Sequence, residues 1–143
     1  MSLLYFNNSN GTFSEEASAG GLSSILNARG FGAGDLDNDG EDPFITNSGG
    51  RPILFRSDAS KNGKNYLRLS FEGTVSNRDG YGCFVKLVTE VRVQTQLYNP
   101  SNAYIGQREP YLHFGLGSAT FVNAIEVNWP SGVQRTFESV AIN

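Results

Sequence analysis

The chain is short of the residues that usually carry visible chemistry. It has one cysteine, Cys83, one histidine, His113, and one tryptophan, Trp129, in 143 residues. A lone cysteine closes no internal disulfide, so covalent stapling cannot stand in for a hydrophobic core, and Cys83, beside a strand pattern, reads as a small buried hydrophobe. No serine or cysteine can be matched to His113 by sequence, so it reads as a hydrogen-bonding strand residue rather than a catalytic base. Positive charge is also scarce. Eleven Lys and Arg against fourteen Asp and Glu give a net charge of −3 and a pI near 5.1, which leaves no electrostatic footprint for nucleic acid. No run approaches the ~20 apolar residues of a membrane-spanning helix, so no membrane insertion is expected. Residues 1–6 are too short for a signal peptide. If Met1-Ser2-Leu3 is not native sequence, the protein begins further upstream, with any export signal there.

What is abundant is turn-forming and aromatic: Gly 17, Phe 10 and Tyr 6, with few stretches of helical periodicity. Many short strands joined by tight turns follow, and the class expected is all-β. At this length the chain can bury roughly 70% of its unfolded surface, enough for one large or two small domains.

The most chemically pointed stretch is Gly34-Asp35-Leu36-Asp37-Asn38-Asp39-Gly40-Glu41-Asp42-Pro43-Phe44. Asp35, Asp37 and Asp39 alternate before a turn glycine, and a short loop that crowds carboxylates makes sense when a hard cation offsets their repulsion. An EF-hand would need a bidentate Glu at the twelfth loop position and a helix after it. Counting from Asp35 that position is Thr46, and Pro43-Phe44-Ile45-Thr46 favours a strand. The expected metal is Ca2+, held by Asp35, Asp37 and Asp39 at the head of the loop.

Upstream, Leu3-Leu4-Tyr5-Phe6 recurs fifty residues later as Ile53-Leu54-Phe55-Arg56, each followed by a Gly/Asn-rich turn, a period in the range of a propeller blade. Between the copies the pattern predicts a strand over 12–14, a short helix over 15–19, and strands over 31–36, 44–47 and 53–56. One blade cannot close a ring. After the polar break at 61–64 the alternation becomes regular. Leu67, Leu69 and Phe71 oppose Tyr66, Arg68 and Ser70; Cys83, Val85 and Leu87 oppose Phe84 and Lys86; Val91, Val93 and Leu97 oppose Arg92, Gln94 and Gln96. Leu112, Phe114 and Leu116 make a further strand, as do Ile125, Val127 and Trp129, and a Pro130-Ser131-Gly132 turn leads to a last one over 134–137. Short strands with one apolar face predict an antiparallel β-sandwich or barrel-like domain. The domain boundary is placed between residues 62 and 63, giving 1–62 and 63–143.

Two resemblances follow from these residues. Gly30-Phe31-Gly32-Ala33-Gly34-Asp35-Leu36-Asp37-Asn38-Asp39-Gly40 resembles the FG-GAP/VCBS repeat, a propeller-blade motif whose calcium loop joins two strands of a hairpin. The family's further Asp falls at Pro43 here, with the acid one place earlier at Asp42, so the resemblance implies a shortened turn in which Asp42 and the carbonyl of Glu41 complete the Ca2+ ligand set. Residues 65–143 resemble the ASPIC/UnbV domain, carried by Tyr66-Leu67-Arg68-Leu69, Gly73-Thr74, Ser76-Asn77-Arg78-Asp79-Gly80-Tyr81-Gly82, Tyr104, Gln107, Pro110, Leu112-His113-Phe114-Gly115-Leu116-Gly117 and Val127-Asn128-Trp129-Pro130-Ser131-Gly132. The turn after Val88 departs from it, reading Thr89-Glu90-Val91 where a glycine pair is usual, and the stretch before Tyr104 reads Asn99-Pro100-Ser101-Asn102-Ala103. The resemblance implies a non-catalytic interaction module that follows FG-GAP/VCBS repeats in secreted or surface proteins.

The function expected is an extracytoplasmic calcium-binding adhesion module, extracellular, cell-surface or periplasmic, with structural calcium and a protein or glycan partner. Exposed strand edges of a lone blade also suggest self-association. Candidate ligand contacts are Arg78 and Asp79, set against the structural reading of Asn77-Arg78-Asp79-Gly80 as a tight turn, and Tyr98 and Tyr104, which flank the irregular 99–103 stretch. Trp129, in phase with Ile125 and Val127, reads as core. The alternative function is a small carbohydrate-active enzyme that pairs two of Glu72, Glu90, Glu109, Glu126 and Glu138 across a cleft.

Overall fold

Strand-forming alternation and the turn residues between strands are realised almost throughout the C-terminal part of the chain. The computed structural model describes residues 3–21, 28–34, 42–47, 51–55, 64–99, 101, 107 and 109–142. Among them the fold is all-β: the regular elements are eleven strands, every pairing is antiparallel, and no sheet closes into a barrel. The domain boundary expected between 62 and 63 lies outside the described residues.

In the N-terminal part, β1 (Tyr5–Asn7) pairs with β2 (Phe13–Glu15), Tyr5 opposite Glu15. Asparagine side chains close the connection. Asn7 Oδ1 accepts from the Ser9 amide at 2.9 Å and Asn10 Oδ1 from the Thr12 amide at 3.0 Å, the local bonding that suits Asn to turns. The helix predicted over 15–19 is instead part of β2 followed by a turn. The Gly20 amide donates to Glu16 O at 2.8 Å, and Gly21 then takes a φ of 69°, so one turn forms and ends. A nucleus that short gains too few hydrogen bonds to propagate. Next come β3 (Ala28–Gly34), β4 (Asp42–Asn47) and β5 (Ile53–Leu54), a three-stranded meander with Gly34 opposite Asp42 and Phe44 opposite Leu54. Among the described residues, the stretch read as a single blade holds a hairpin and a three-stranded meander.

The C-terminal part holds two sheets. One is the pair β6 (Asn65–Leu69) and β9 (Leu112–Gly117); the other has the order β11 (Gln134–Ala141), β10 (Phe121–Asn128), β7 (Phe84–Val88), β8 (Val93–Leu97). Val85, Leu87, Ile125 and Val127 on the larger sheet meet Leu112, Phe114 and Leu116 on the smaller one. All are buried, with Leu67 and Leu69 packed against them. Full burial of one such side chain contributes about 1.5–3 kcal/mol, so this shared core is what holds the two sheets face to face as a sandwich-like domain. Cys83 is fully buried in it, as expected, and burial pushes its thiol pKa up.

Turn chemistry explains the connections. The β7–β8 turn does without glycine. The buried Thr89 hydroxyl donates to Arg92 O at 3.1 Å and accepts from the Arg92 amide at 3.2 Å, while the Thr89 amide donates to Arg92 O at 2.9 Å. At Gly80, by contrast, glycine is required: φ is 72°, and a Cβ there would fall on Phe71 Cβ.

Candidate functional site

The two sheets do not meet evenly along their edges. The strand order runs as an open ring: β6, β9, then β8, β7, β10, β11. Where β9 faces β8 the ring is stitched by side chains. Gln96 Nε2 donates to His113 O at 2.7 Å, Gln94 Nε2 donates to Gly115 O at 3.0 Å, and the Arg92 guanidinium also donates to Gly115 O. These contacts correct the expected orientation of β8. Gln94 and Gln96 lie opposite Leu87 and Val85 and so share the inner face, whereas Val93 and Leu97 are 56% and 57% exposed. The reason is the neighbour. A strand at a sheet edge opposite another unpaired edge has carbonyls to satisfy, and long amide side chains do that where Val and Leu cannot. The sequence signal was present in Gln-x-Gln on alternate positions, but apolar content suggested the other face.

The opposite seam, between β6 and β11, is open. Arg135 lies opposite Val127 and Phe137 opposite Ile125. Directly opposed residues of an antiparallel pair share a face, so Arg135 and Phe137 belong to the inner face of the sheet. Nothing among the described residues covers them as β6 and β9 cover β7 and β10: Phe137 is 53% exposed. Further along the same strands Val122 and Ile125 are both buried although three residues apart, and Ser139, across from Asn123, has a φ of 56°. The open seam leaves a groove of about 590 Å³ between β11 and the 69–76 strip that follows β6, floored by Leu69, Phe71, Ile125, Val127 and Trp129. At one end the Ser76 and Ser131 hydroxyls bond at 2.8 Å and the Ser131 amide donates to Ser76 Oγ at 3.1 Å, tying the strip to the β10–β11 turn. Phe137 and Arg135 carried no signal beyond a strand pattern in the sequence. Their exposure depends on which strand lies opposite.

The residues proposed for ligand contact are placed as follows. Tyr98 is 3% exposed, in the core and not on a rim; its ring lies 4.9 Å from Phe71 and 5.3 Å from Tyr81. Burial, with Tyr81 beside it, raises its phenol pKa. Its backbone explains the position: the Tyr98 amide donates to Cys83 O at 2.8 Å and the Gly82 amide donates to Tyr98 O at 2.9 Å, which continues the β7–β8 ladder beyond Leu97. Tyr104 lies outside the described residues. Arg78 pairs with Glu72 at 3.9 Å with both side chains largely exposed. Around it Asn77 Oδ1 accepts from the Tyr81 amide and Asn77 Nδ2 donates to Tyr81 O, each at 2.8 Å, and the Gly80 amide donates to Asn77 O at 3.1 Å. That is a self-bonded tight turn bearing Arg78 and Asp79 on its surface. Trp129 packs edge-on to Phe71 at 5.9 Å against the core, half-buried at the groove floor.

His113 stacks on Tyr66, centroids 5.1 Å apart and planes 14° from parallel, while Arg68 sits over Tyr66 at 5.7 Å and over Tyr111 at 5.6 Å. This ladder lies on the outer face of the β6–β9 sheet, and such cation–aromatic stacking accounts for His113 as a strand residue. Among the candidate carboxylates, Glu126 is matched with Lys86, cross-strand at 2.9 Å, and Glu72 with Arg78.

For calcium, Asp35, Asp37, Asp39 and Glu41 lie outside the described residues, and Asp42 opens β4. Gly34 ends β3 directly opposite Asp42, so the chain enters and leaves the acidic stretch side by side. The segment after it is a strand, as Pro43-Phe44-Ile45-Thr46 led one to expect, where an EF-hand needs a helix. Elsewhere among the described residues no three His, Cys, Asp or Glu side chains cluster as a metal site.

Fold and groove together define a two-sheet β domain with one stitched and one open seam. Residues 73–143, from the strip beside the groove through β11, match the family model described as ASPIC and UnbV. No curated protein matches the chain.

Proposed function

We propose that the chain is a non-catalytic, extracytoplasmic binding module of the FG-GAP/VCBS-plus-ASPIC/UnbV kind, presenting the open seam of its C-terminal domain to a protein or glycan partner. The observation that carries this reading is the uncovered inner face of β11. An apolar face turned inward is ordinarily covered by the second sheet, and a half-exposed Phe137 forgoes about 1 kcal/mol of the stabilisation its burial would give. A concave, mostly apolar surface with few polar groups is the form a recognition site takes. In the N-terminal part, the side-by-side ends of β3 and β4 support Ca2+ held by Asp35, Asp37, Asp39, the Glu41 carbonyl and Asp42. Bound there, the ion would offset carboxylate repulsion and hold the two strands together. Sites of this kind in extracellular modules bind at about 10⁻⁴–10⁻³ M, which suits an environment with millimolar calcium.

Site-specific photo-crosslinking tests the groove. A benzophenone side chain at position 137 should form adducts with a macromolecule in the cells that produce the protein, whereas the same group at position 97, exposed on the opposite face of the sheet, should not. Equal labelling at both positions, or none at 137, would refute the groove as the site.

A further inference from the structure

We propose that the open seam receives an extended peptide segment of a partner protein, which adds antiparallel to the free edge of β11 and presents an apolar residue followed two positions later by a carboxylate. This rests on the reading of the groove as the binding site and commits it to a protein rather than a glycan.

Three observations converge on that chemistry. The first is the edge. Among the described residues β11 is paired on one side only, by β10, so a row of backbone donors and acceptors borders the groove. Such an edge is a template for another strand. A fatty acid or a glycan has no regular array of amides to match it. The second is the floor. Ile125 and Val127 lie beside Phe137 and Arg135 on one face, with Trp129 lining the same groove, and an added strand would turn every second side chain to that face. The third is charge. Arg135 lines the apolar groove, and among the described residues no carboxylate forms an ion pair with it. Glu72, on the other side of the groove, lies 3.9 Å from Arg78 and forms no ion pair with Arg135. A guanidinium at the edge of a low-dielectric gap favours a carboxylate, which it can hold through two parallel hydrogen bonds.

The spacing follows from register. In an antiparallel addition, the ligand residue opposite Phe137 precedes the one opposite Arg135 by two positions, and both point to the inner face. The motif is therefore apolar-x-Asp/Glu, read in the ligand's N-to-C direction. A second copy of this chain fits poorly. Pairing β11 with β11 brings two Arg135 guanidiniums to the inner face, while Glu138, opposite Ala124, lies on the outer one. The inward-pointing Arg135 thus discourages self-pairing and selects an acidic strand.

The test uses the full chain and an end-capped peptide that alternates threonine with apolar residues and carries one Phe-x-Glu step. Binding is read from the emission of Trp129, the single tryptophan, and from the anisotropy of a labelled peptide. Phe-x-Glu should bind about tenfold more tightly than Phe-x-Gln, and Phe-x-Lys more weakly still. Arg135→Glu should invert the order, restoring binding to Phe-x-Lys, an outcome that misfolding cannot produce. Methylating the peptide amides that face β11 should abolish binding while leaving every side chain in place. Equal binding of the methylated peptide would overturn strand addition, and an unchanged preference in Arg135→Glu would overturn the charge assignment. A Trp129 response to laurate with none to any peptide would identify an amphiphile pocket instead. If the peptides fail while adducts at position 137 still form, the strand proposal falls and the binding module stands; if both fail, so does the site.

Discussion

Gly80 and Gly132 offer a paired test of how the groove floor is built. Both have positive φ, 72° and 85°, so alanine at either carries the left-handed backbone cost of about 1–2 kcal/mol. They differ in surroundings. A Cβ at Gly132 meets nothing within 4 Å. At Gly80 it would fall on Phe71 Cβ, 3.1 Å from Phe71 Cγ and 3.4 Å from Trp129 Cζ3. Rotating the Phe71 side chain does not move its Cβ, so the backbone there must shift, and the ring it carries is in contact with both Tyr98 and Trp129. Gly80→Ala therefore adds an overpacking cost of about 1–3 kcal/mol, for a total of about 2–5 kcal/mol. Gly132→Ala should lose only the backbone part. At about 4 °C per kcal/mol for a domain of this size, Gly80→Ala should melt roughly 8–20 °C below wild type and Gly132→Ala roughly 4–8 °C below. The assay is thermal unfolding followed by Trp129 fluorescence, which reports the affected layer. Equal losses in the two variants would refute the reasoning, since they would mean that Phe71 yields without cost and that the aromatic layer is not closely packed.

Other consequences are as direct. Gln96→Leu removes the donor to His113 O at the seam, so urea unfolding should show a loss of about 0.5–1.5 kcal/mol; Leu97→Gln, on the exposed face, should cost less than about 0.5 kcal/mol. Because burial raises the pKa of both Cys83 and Tyr98 in the folded state, their contribution is complete below the unfolded thiol value of 9.0 and declines as pH rises past it, then further above the phenol value of 10.0. Tm should accordingly fall more steeply above pH 9 in wild type than in Cys83→Ala, and a flat alkaline profile would contradict the buried assignments. Calcium at a hundredfold excess over Kd should stabilise the folded chain by about 2.7 kcal/mol relative to chelator. Asp37→Asn should remove most of that gain and Asp58→Asn, outside the loop, none of it; identical melting of wild type in calcium and chelator would exclude the site.

The sequence by itself determined the strands and most of their faces. Cys83-x-Val85-x-Leu87, Leu112-x-Phe114-x-Leu116 and Ile125-x-Val127 are buried as their alternation requires, because a period of two fixes which side chains share a face whatever the strand's partners are. The turn at Asn77-Arg78-Asp79-Gly80 was legible for a similar reason: a positive φ and side-chain bonding are local demands. Only the tertiary structure decided what lies opposite each face. Val93 and Leu97 point outward because β8 faces the carbonyls of β9, which glutamine can satisfy and valine cannot. Tyr98 is core because the ladder between β7 and β8 extends past Leu97 and draws it under Phe71. Phe137 is exposed because β6 pairs with β9, more than forty residues along the chain, and so stops short of β11. Alternation assigns a residue to one side of its own strand; whether that side is covered depends on pairings distant in sequence, and the open seam exists only at that level.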